Sequence, residues 1–129
     1  MTSIKNIFIK KYLYTILSVL FCSSQLFSQT QIGADIDGEA AGDYSGRSVS
    51  LSDDGTTVAI GAIGNDGNGN GAGHTRIYQY SSGSWAQLGS DIDGEAARDY
   101  SGSSVSLSSD GTIVAIGANA NGGNGNGAG

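Results

Sequence analysis

Hydrophobic and polar positions alternate with a period of two over most of the chain that follows residue 30. Serine alternates with valine and leucine in residues 48–52, and residues 57–62 place branched side chains on one face and small ones on the other. Residues 75–80 and 84–89 continue the extended pattern, with β-branched and aromatic residues concentrated in the first of them. This period is typical of β-strands. The Asp-Gly pair within residues 53–56 is typical of a tight hairpin turn. The pattern therefore predicts four short antiparallel strands.

The same pattern occurs twice. Residues 31–73 align with residues 87–129 at an offset of 56 and are identical at 34 of 43 positions. Repeats of about this length are typical of solenoids and propellers, whose units bury their apolar faces against neighbouring units. Four strands per period match one blade of a β-propeller. We therefore expect an all-β fold of four-stranded antiparallel blades, an incomplete β-propeller of about two. One repeat spans residues 31–86, and a second, truncated repeat spans residues 87–129.

Residues 1–30 differ in character from the repeats. Three lysines, Lys5, Lys10 and Lys11, precede an apolar run over residues 12–22, and a polar stretch follows it. This order is typical of a secretory signal peptide. The alternative, a transmembrane anchor, is less favoured because eleven residues rise only about 16 Å as a helix, roughly half the bilayer core. We expect an N-terminal signal helix in residues 1–30, a secreted or cell-surface location, and no membrane span after cleavage.

Composition and charge narrow the possible partners and chemistry of the repeats. All twelve carboxylates lie after residue 30, against only Arg47, Arg76 and Arg98, which gives this part a formal charge of −9. Such a charge speaks against a nucleic acid partner. The only cysteine, Cys22, lies in the leader, so the mature chain lacks disulfides and thiol catalysis. Large apolar side chains are few, and we expect neighbouring repeats to complete the core.

Three segments resemble a known repeat family. Residues 42–49, 58–62 and 77–80 are similar to the FG-GAP repeat of integrin-α-type β-propellers, in particular to its bacterial secreted variant, although Ser45 stands where the family has phenylalanine. The resemblance implies a propeller blade used for extracellular ligand binding and adhesion. It also implies a calcium loop between the first two strands, but that place holds only the short turn at residues 53–56. The family's calcium ligands therefore do not carry over to these positions.

A different acidic motif is the candidate calcium site. Each repeat opens on three carboxylates at alternate positions, which are Asp35, Asp37 and Glu39 in the first copy and Asp91, Asp93 and Glu95 in the second. In an extended chain alternate side chains point the same way, and clustered carboxylate oxygens suit Ca²⁺. Asp43 and Asp99 could each add a fourth ligand. The alternative, which we favour, is a solvated acidic link between blades. Ca²⁺ is the only cofactor that the sequence suggests.

The remaining candidate residues favour structural roles. His74 is the only histidine, and with no nearby base or nucleophile in the sequence it is expected to be a strand-edge residue. Residues 66–71 match the opening of a calcium-binding loop, but Ile77 stands in place of its bidentate glutamate, which favours a surface loop. Trp85 and its neighbouring tyrosines could stack on carbohydrate, although packing within the blade is favoured.

These observations indicate a binding protein rather than an enzyme. No Gly-x-Ser-x-Gly elbow or paired catalytic group occurs in the sequence. We expect a non-catalytic, secreted or cell-surface β-propeller repeat protein for adhesion or ligand binding, with an extracellular protein or glycan as its partner. The alternative is that these blades are the non-catalytic scaffold of a larger extracellular enzyme that acts on polysaccharide.

Overall fold

The computed structural model describes residues 28–125 and 127–129. The chain divides into two units, Met1–Gln31 and Ile32–Gly129. The expected signal helix in residues 1–30 lies outside the described residues, apart from residues 28–30. No helix in the part of the chain that the structure describes is long and apolar enough to span a bilayer.

The unit Ile32–Gly129 is all-β, as the alternating pattern predicts. Its described residues form seven strands: β1 (Ser45–Leu51), β2 (Thr57–Ala62), β3 (His74–Ser81), β4 (Ser84–Gln87), β5 (Ile92–Asp93), β6 (Ser101–Leu107) and β7 (Val114–Ala118). The first sheet has the order β1-β2-β3-β4 with every pair antiparallel, and the second sheet pairs β6 with β7. A four-stranded meander of this kind is the form of a propeller blade. The second sheet, β6 and β7, corresponds to the first two strands of this blade, β1 and β2.

One strand was not expected from the sequence. Residues 91–95 are predicted as a link between blades, but Ile92–Asp93 form β5, which pairs with the beginning of β3 through Thr75↔Ile92 and His74↔Asp93. The edge of β3 is free for this pairing because β4 covers only its far end, from Tyr78 onwards. The start of the second repeat is thereby attached to the sheet of the first.

The turn between β1 and β2 confirms the prediction from Asp-Gly. Gly55 has a φ of 72°, a left-handed conformation that glycine adopts without strain. The Asp54 carboxylate accepts hydrogen bonds from the Ser52 hydroxyl at 2.6 Å and from the Thr56 amide at 3.0 Å. These bonds fix the hairpin and, with it, the register of the first two strands.

The two repeats meet through small side chains. Ser48 Oγ donates to the Gly102 carbonyl at 2.7 Å, and Ser50 Oγ accepts from the Leu107 amide at 2.9 Å. A Cβ atom added at Gly61 would collide with the Gly102 carbonyl oxygen. Gly102 itself has a φ of 83° and lies in the bulge of β6, between Ser101 and Ser104. The sheets therefore pack at backbone distance.

In β1 the serine side chains are covered and the apolar ones are exposed, the opposite of what an alternating strand usually shows. The serines face the second repeat, whereas Val49 and Leu51 are 62% and 56% exposed. The buried apolar residues of the described chain are mostly small, namely Ala59, Ala62, Ala72 and Tyr78. The core that the described residues form is thus limited, as the scarcity of large apolar side chains suggests.

Candidate functional site

An asparagine joins each acidic link to the loop that follows the second strand of the same repeat. Asn65 Nδ2 donates to Glu39 Oε2 and to Asp43 Oδ2, both at 3.1 Å. At the equivalent positions 56 residues later, Asn121 Nδ2 donates to Glu95 Oε2 at 3.2 Å and to Asp99 Oδ2 at 3.3 Å. The duplicated sequence therefore builds the same clamp twice.

Asp43 and Asp99 are central to these clamps. Both are buried, and each Oδ2 atom also accepts a backbone hydrogen bond, from the Ala40 amide at 3.1 Å and from the Ala96 amide at 2.8 Å. Together with the asparagine bonds, they hold the Oδ2 atom of each aspartate inside the link. The geometry thus gives these two aspartates a structural role in holding the link.

Each clamp forms the floor of an open cleft. The first cleft has a volume of about 500 Å³ and is lined by residues 39–44 and by the loop after β2. The second has a volume of about 590 Å³ and is lined by the equivalent residues 95–100 and by the loop after β7. Tyr100 lines both clefts. The two clefts open on the same edge of successive repeats, since both are formed by the link before the first strand and the loop after the second.

Each cleft carries an exposed tyrosine in a strained backbone conformation. Tyr44 and Tyr100 have φ values of 54° and 55°, in the left-handed region that bulky residues rarely occupy, and are 69% and 38% exposed. Arg98, which also lines the second cleft, has a φ of 68°. Strain of this kind costs roughly 1–3 kcal/mol per residue and concentrates at functional sites.

The six predicted calcium ligands do not converge within either motif in the part of the chain that the structure describes. Asp35 and Asp37 border a small cleft beside Trp85. Asp93 lies in β5, and Glu95 binds Asn121. Glu39 and Asp91, one from each motif, instead meet at His74.

The cluster of Glu39, His74 and Asp91 lies where the two repeats join. His74 Nδ1 is 3.5 Å from Asp91 Oδ2 and 3.9 Å from Glu39 Oε2, and the three ligand atoms lie within 4.8 Å of one another. His74 is only 1% exposed, and its Nδ1 atom has no hydrogen-bond partner. On the outer side, Arg76 Nη1 is 3.6 Å from Glu39 Oε1. An imidazole nitrogen and two carboxylates thus point at one small volume.

Comparison with known proteins identifies the repeat. Residues 29–78, which include β1, β2 and most of β3, match the model of the FG-GAP repeat. Over these residues the chain is similar to an FG-GAP repeat. No curated protein and no solved structure matches the chain. FG-GAP repeats form β-propeller blades, and the four-stranded antiparallel order of the first sheet agrees with this architecture.

The aromatic residues of β3 and β4 pack mainly against one another and the chain. The rings of Tyr80 and Trp85 are 5.1 Å apart at an angle of 54°, and Trp85 Nε1 donates to the Ile32 carbonyl at 3.1 Å. Tyr78 is buried, and that burial raises the pKa of its phenol. These contacts favour packing within the blade over carbohydrate stacking for this group.

His74 is the first residue of β3, in agreement with the expected strand-edge position, but sequence reasoning missed the two carboxylates beside it. It is separated by 35 residues from Glu39 and by 17 from Asp91, so no motif spacing relates them. They meet because β5 pairs with the first two residues of β3 and places Asp91 beside His74. The one signal in the sequence was that the only histidine opens a strand directly after a glycine-rich loop. Nothing in the sequence indicated that the tyrosines of the clefts are functional candidates, because their positive φ values are visible only in the folded backbone.

Proposed function

We propose that the FG-GAP repeats belong to a secreted or cell-surface β-propeller that binds an extracellular protein or glycan without catalysis. The binding surface is the loop edge that carries the two equivalent clefts. The observation that supports this most strongly is the strained, exposed tyrosine in each cleft, Tyr44 in the first and Tyr100 in the second. A folded chain tolerates such strain where it serves a function.

The chemistry of the clefts supports a hydroxyl-rich or basic ligand. A tyrosine ring offers an apolar face and a hydroxyl group at low conformational cost, which suits the stacking of a sugar ring. Glu39 borders the first cleft, and its exposed carboxylate can accept hydrogen bonds from ligand hydroxyl groups. The net negative charge of the repeats favours neutral or cationic partners over anionic ones.

The duplication itself supports adhesion. Two equivalent clefts on one edge can engage two units of a repetitive ligand, and linking two weak sites raises the overall affinity by roughly 10²–10⁴ when both engage. A repetitive extracellular glycan or a surface carrying many copies of a protein provides such units. Weak individual sites are therefore compatible with firm attachment.

The test is binding by the full chain on a glycan array and on an array of extracellular-matrix proteins. We expect the unaltered chain to bind at least one ligand class, and the double variant Tyr44→Ala/Tyr100→Ala to bind it at least about tenfold more weakly, since aromatic anchors carry much of the binding energy. Ile113→Ser is the matched control, because Ile113 is 69% exposed, like Tyr44, and lines neither cleft.

Binding that persists in the double tyrosine variant would contradict the assignment of the clefts. No binding by the unaltered chain to either array would contradict the adhesive function. Loss of binding in Ile113→Ser alone would move the binding surface to the exposed face of the second repeat.

A further inference from the structure

We infer that Glu39, His74 and Asp91 form a Zn²⁺ site that joins the two repeats. The ligands come from three segments: the link before β1, the first residue of β3, and the residue before β5. The ligand atoms are Glu39 Oε2, His74 Nδ1 and Asp91 Oδ2. Glu39 also lines the first cleft, but the site does not depend on the tyrosines that carry the proposed binding function.

The buried imidazole nitrogen is the observation that distinguishes this cluster from an ordinary acidic patch. His74 Nδ1 is inaccessible to solvent, has no hydrogen-bond partner, and faces two carboxylate oxygens at 3.5 and 3.9 Å. A buried polar atom left without a partner is destabilising by roughly 1–3 kcal/mol. A cation placed between Nδ1 and the two carboxylates would give this nitrogen a partner and balance the two negative charges.

The spacing of the ligand atoms fits a tetrahedral ion. Two ligands that each lie about 2.1 Å from a tetrahedral metal are roughly 3.4 Å apart. The 3.5 Å separation of His74 Nδ1 and Asp91 Oδ2 is close to this value. Glu39 Oε2 lies 3.9 Å from Nδ1, all three atoms lie within 4.8 Å of one another, and Glu39 would move inward to complete the site. The carboxylates are partly exposed, so they leave an entry path for the ion.

The ligand types favour Zn²⁺ over Ca²⁺. Calcium takes six to eight oxygen ligands, whereas imidazole nitrogen with carboxylate oxygen is a common donor set for zinc. Three protein ligands leave a fourth position, which water fills in many zinc sites. The acidic motifs that suggested calcium from the sequence therefore each contribute one carboxylate to a site of different chemistry.

Neighbouring groups orient both carboxylates. Gln87 Nε2 donates to Asp91 Oδ1 at 2.6 Å, which leaves Oδ2 directed at His74. Arg76 Nη1 lies 3.6 Å from Glu39 Oε1, and Asn65 Nδ2 donates to Glu39 Oε2 at 3.1 Å, so both oxygen atoms are held and Oε2 lies on the side of the histidine. Arg76 also lowers the net negative charge of the cluster. Contacts of this kind fix ligand geometry in metal sites.

The test is zinc binding by the full chain, prepared without a histidine tag. Calorimetry with ZnCl₂ should show one ion bound per chain. Because His74 is the only histidine, ¹⁵N–¹H NMR of imidazole groups gives a single ring, and its Nδ1 resonance should shift on adding one equivalent of Zn²⁺. CaCl₂ at the same concentration should leave this resonance unchanged.

The repeat supplies matched controls. Asp91→Asn and Glu39→Gln should each weaken zinc binding at least about tenfold, the loss typical of impaired zinc coordination. Asp35→Asn and Glu95→Gln remove the same charge at the equivalent positions of the other motif, away from His74, and should leave the affinity unchanged. These four substitutions are isosteric and do not alter the buried histidine.

Three results would overturn the inference: no zinc bound by the unaltered chain, equal weakening by Asp91→Asn and Asp35→Asn, or a His74 Nδ1 resonance that Zn²⁺ does not move. A calcium-dependent shift of the same resonance would show that the site takes Ca²⁺ instead. Failure of the array experiments on the tyrosine clefts would leave this result unaffected.

Discussion

Short polar side chains fix the tight turns of both repeats. In the second turn the Asp110 carboxylate accepts hydrogen bonds from the Ser108 hydroxyl at 2.6 Å and from the Thr112 amide at 3.1 Å, as Asp54 does in the first. The hydroxyl of Ser108, followed by the amide of Thr112, lowers the pKa of Asp110 from 3.8 to about 2. Hydrogen bonds to a carboxylate favour its charged form, so the turn is held by an ionised aspartate.

This coupling predicts a pH dependence with a definite sign. Because the folded pKa of Asp110 lies below its ordinary value, its contribution to stability is present above about pH 4 and is lost as the pH falls through about 2. Ser108→Ala should raise the pKa of Asp110 towards 3.8, as measured by ¹³C NMR titration of the carboxylates. Ser106→Ala, two residues earlier in β6, should leave it unchanged. An Asp110 pKa that does not respond to Ser108→Ala would contradict this account of the turn.

The elements are positioned by the clamp between each acidic link and the loop after the second strand. Asn65 holds Glu39 and Asp43 in the first repeat, and its own Oδ1 accepts from the Gly67 amide at 2.8 Å. The clamp therefore connects the floor of the first cleft to the zinc cluster, since Glu39 belongs to both. Removal of the Asn65 side-chain amide should therefore loosen both the loop after β2 and the acidic link.

Asn65→Ala should lower the free energy of unfolding by about 1–3 kcal/mol, because it leaves the buried Asp43 carboxylate with one hydrogen bond fewer. Urea denaturation followed by circular dichroism measures this change. Asn70→Ala is the control, because Asn70 lies exposed in the same loop and should change stability by less than about 0.5 kcal/mol. Equal effects of the two substitutions would argue against the clamp.

Local sequence patterns predicted the strands and turns well, but they predicted the contacts between distant elements poorly. The strands and the Asp-Gly turn follow from alternation and turn chemistry, which act between near neighbours in the chain. The pairing of β5 with β3 does not, because it depends on which part of β3 the strand β4 leaves uncovered. The cluster at His74 follows from that pairing, so the sequence could suggest its carboxylates but not their common partner.

At the scale of the whole unit, the repeats are held together by close backbone approach rather than by a large apolar core. Gly61 in β2 lies against the backbone of Gly102 in β6, with no room for a Cβ atom between them. The sequence did not indicate that the serines of β1 would face the neighbouring repeat, because alternation shows two faces without showing which one is covered. Val49 and Leu51 are the face that the described residues leave exposed.

Hydrogen exchange in two matched glycine variants tests this packing most directly. A methyl group at Gly61 would collide with the Gly102 backbone carbonyl, whereas at the equivalent Gly117 it would meet chiefly the hydroxyl of Ser104, which can rotate away. Neither glycine has a positive φ, so alanine adds no backbone strain at either position. We predict that Gly61→Ala speeds amide exchange throughout β6, including exchange of the Leu107 amide, which is bonded to Ser50 Oγ. Gly117→Ala should leave the β6 amides that face the first repeat protected from exchange. Equal exchange of β6 in the two variants, or an unprotected β6 in the unaltered chain, would contradict the packing of the two repeats.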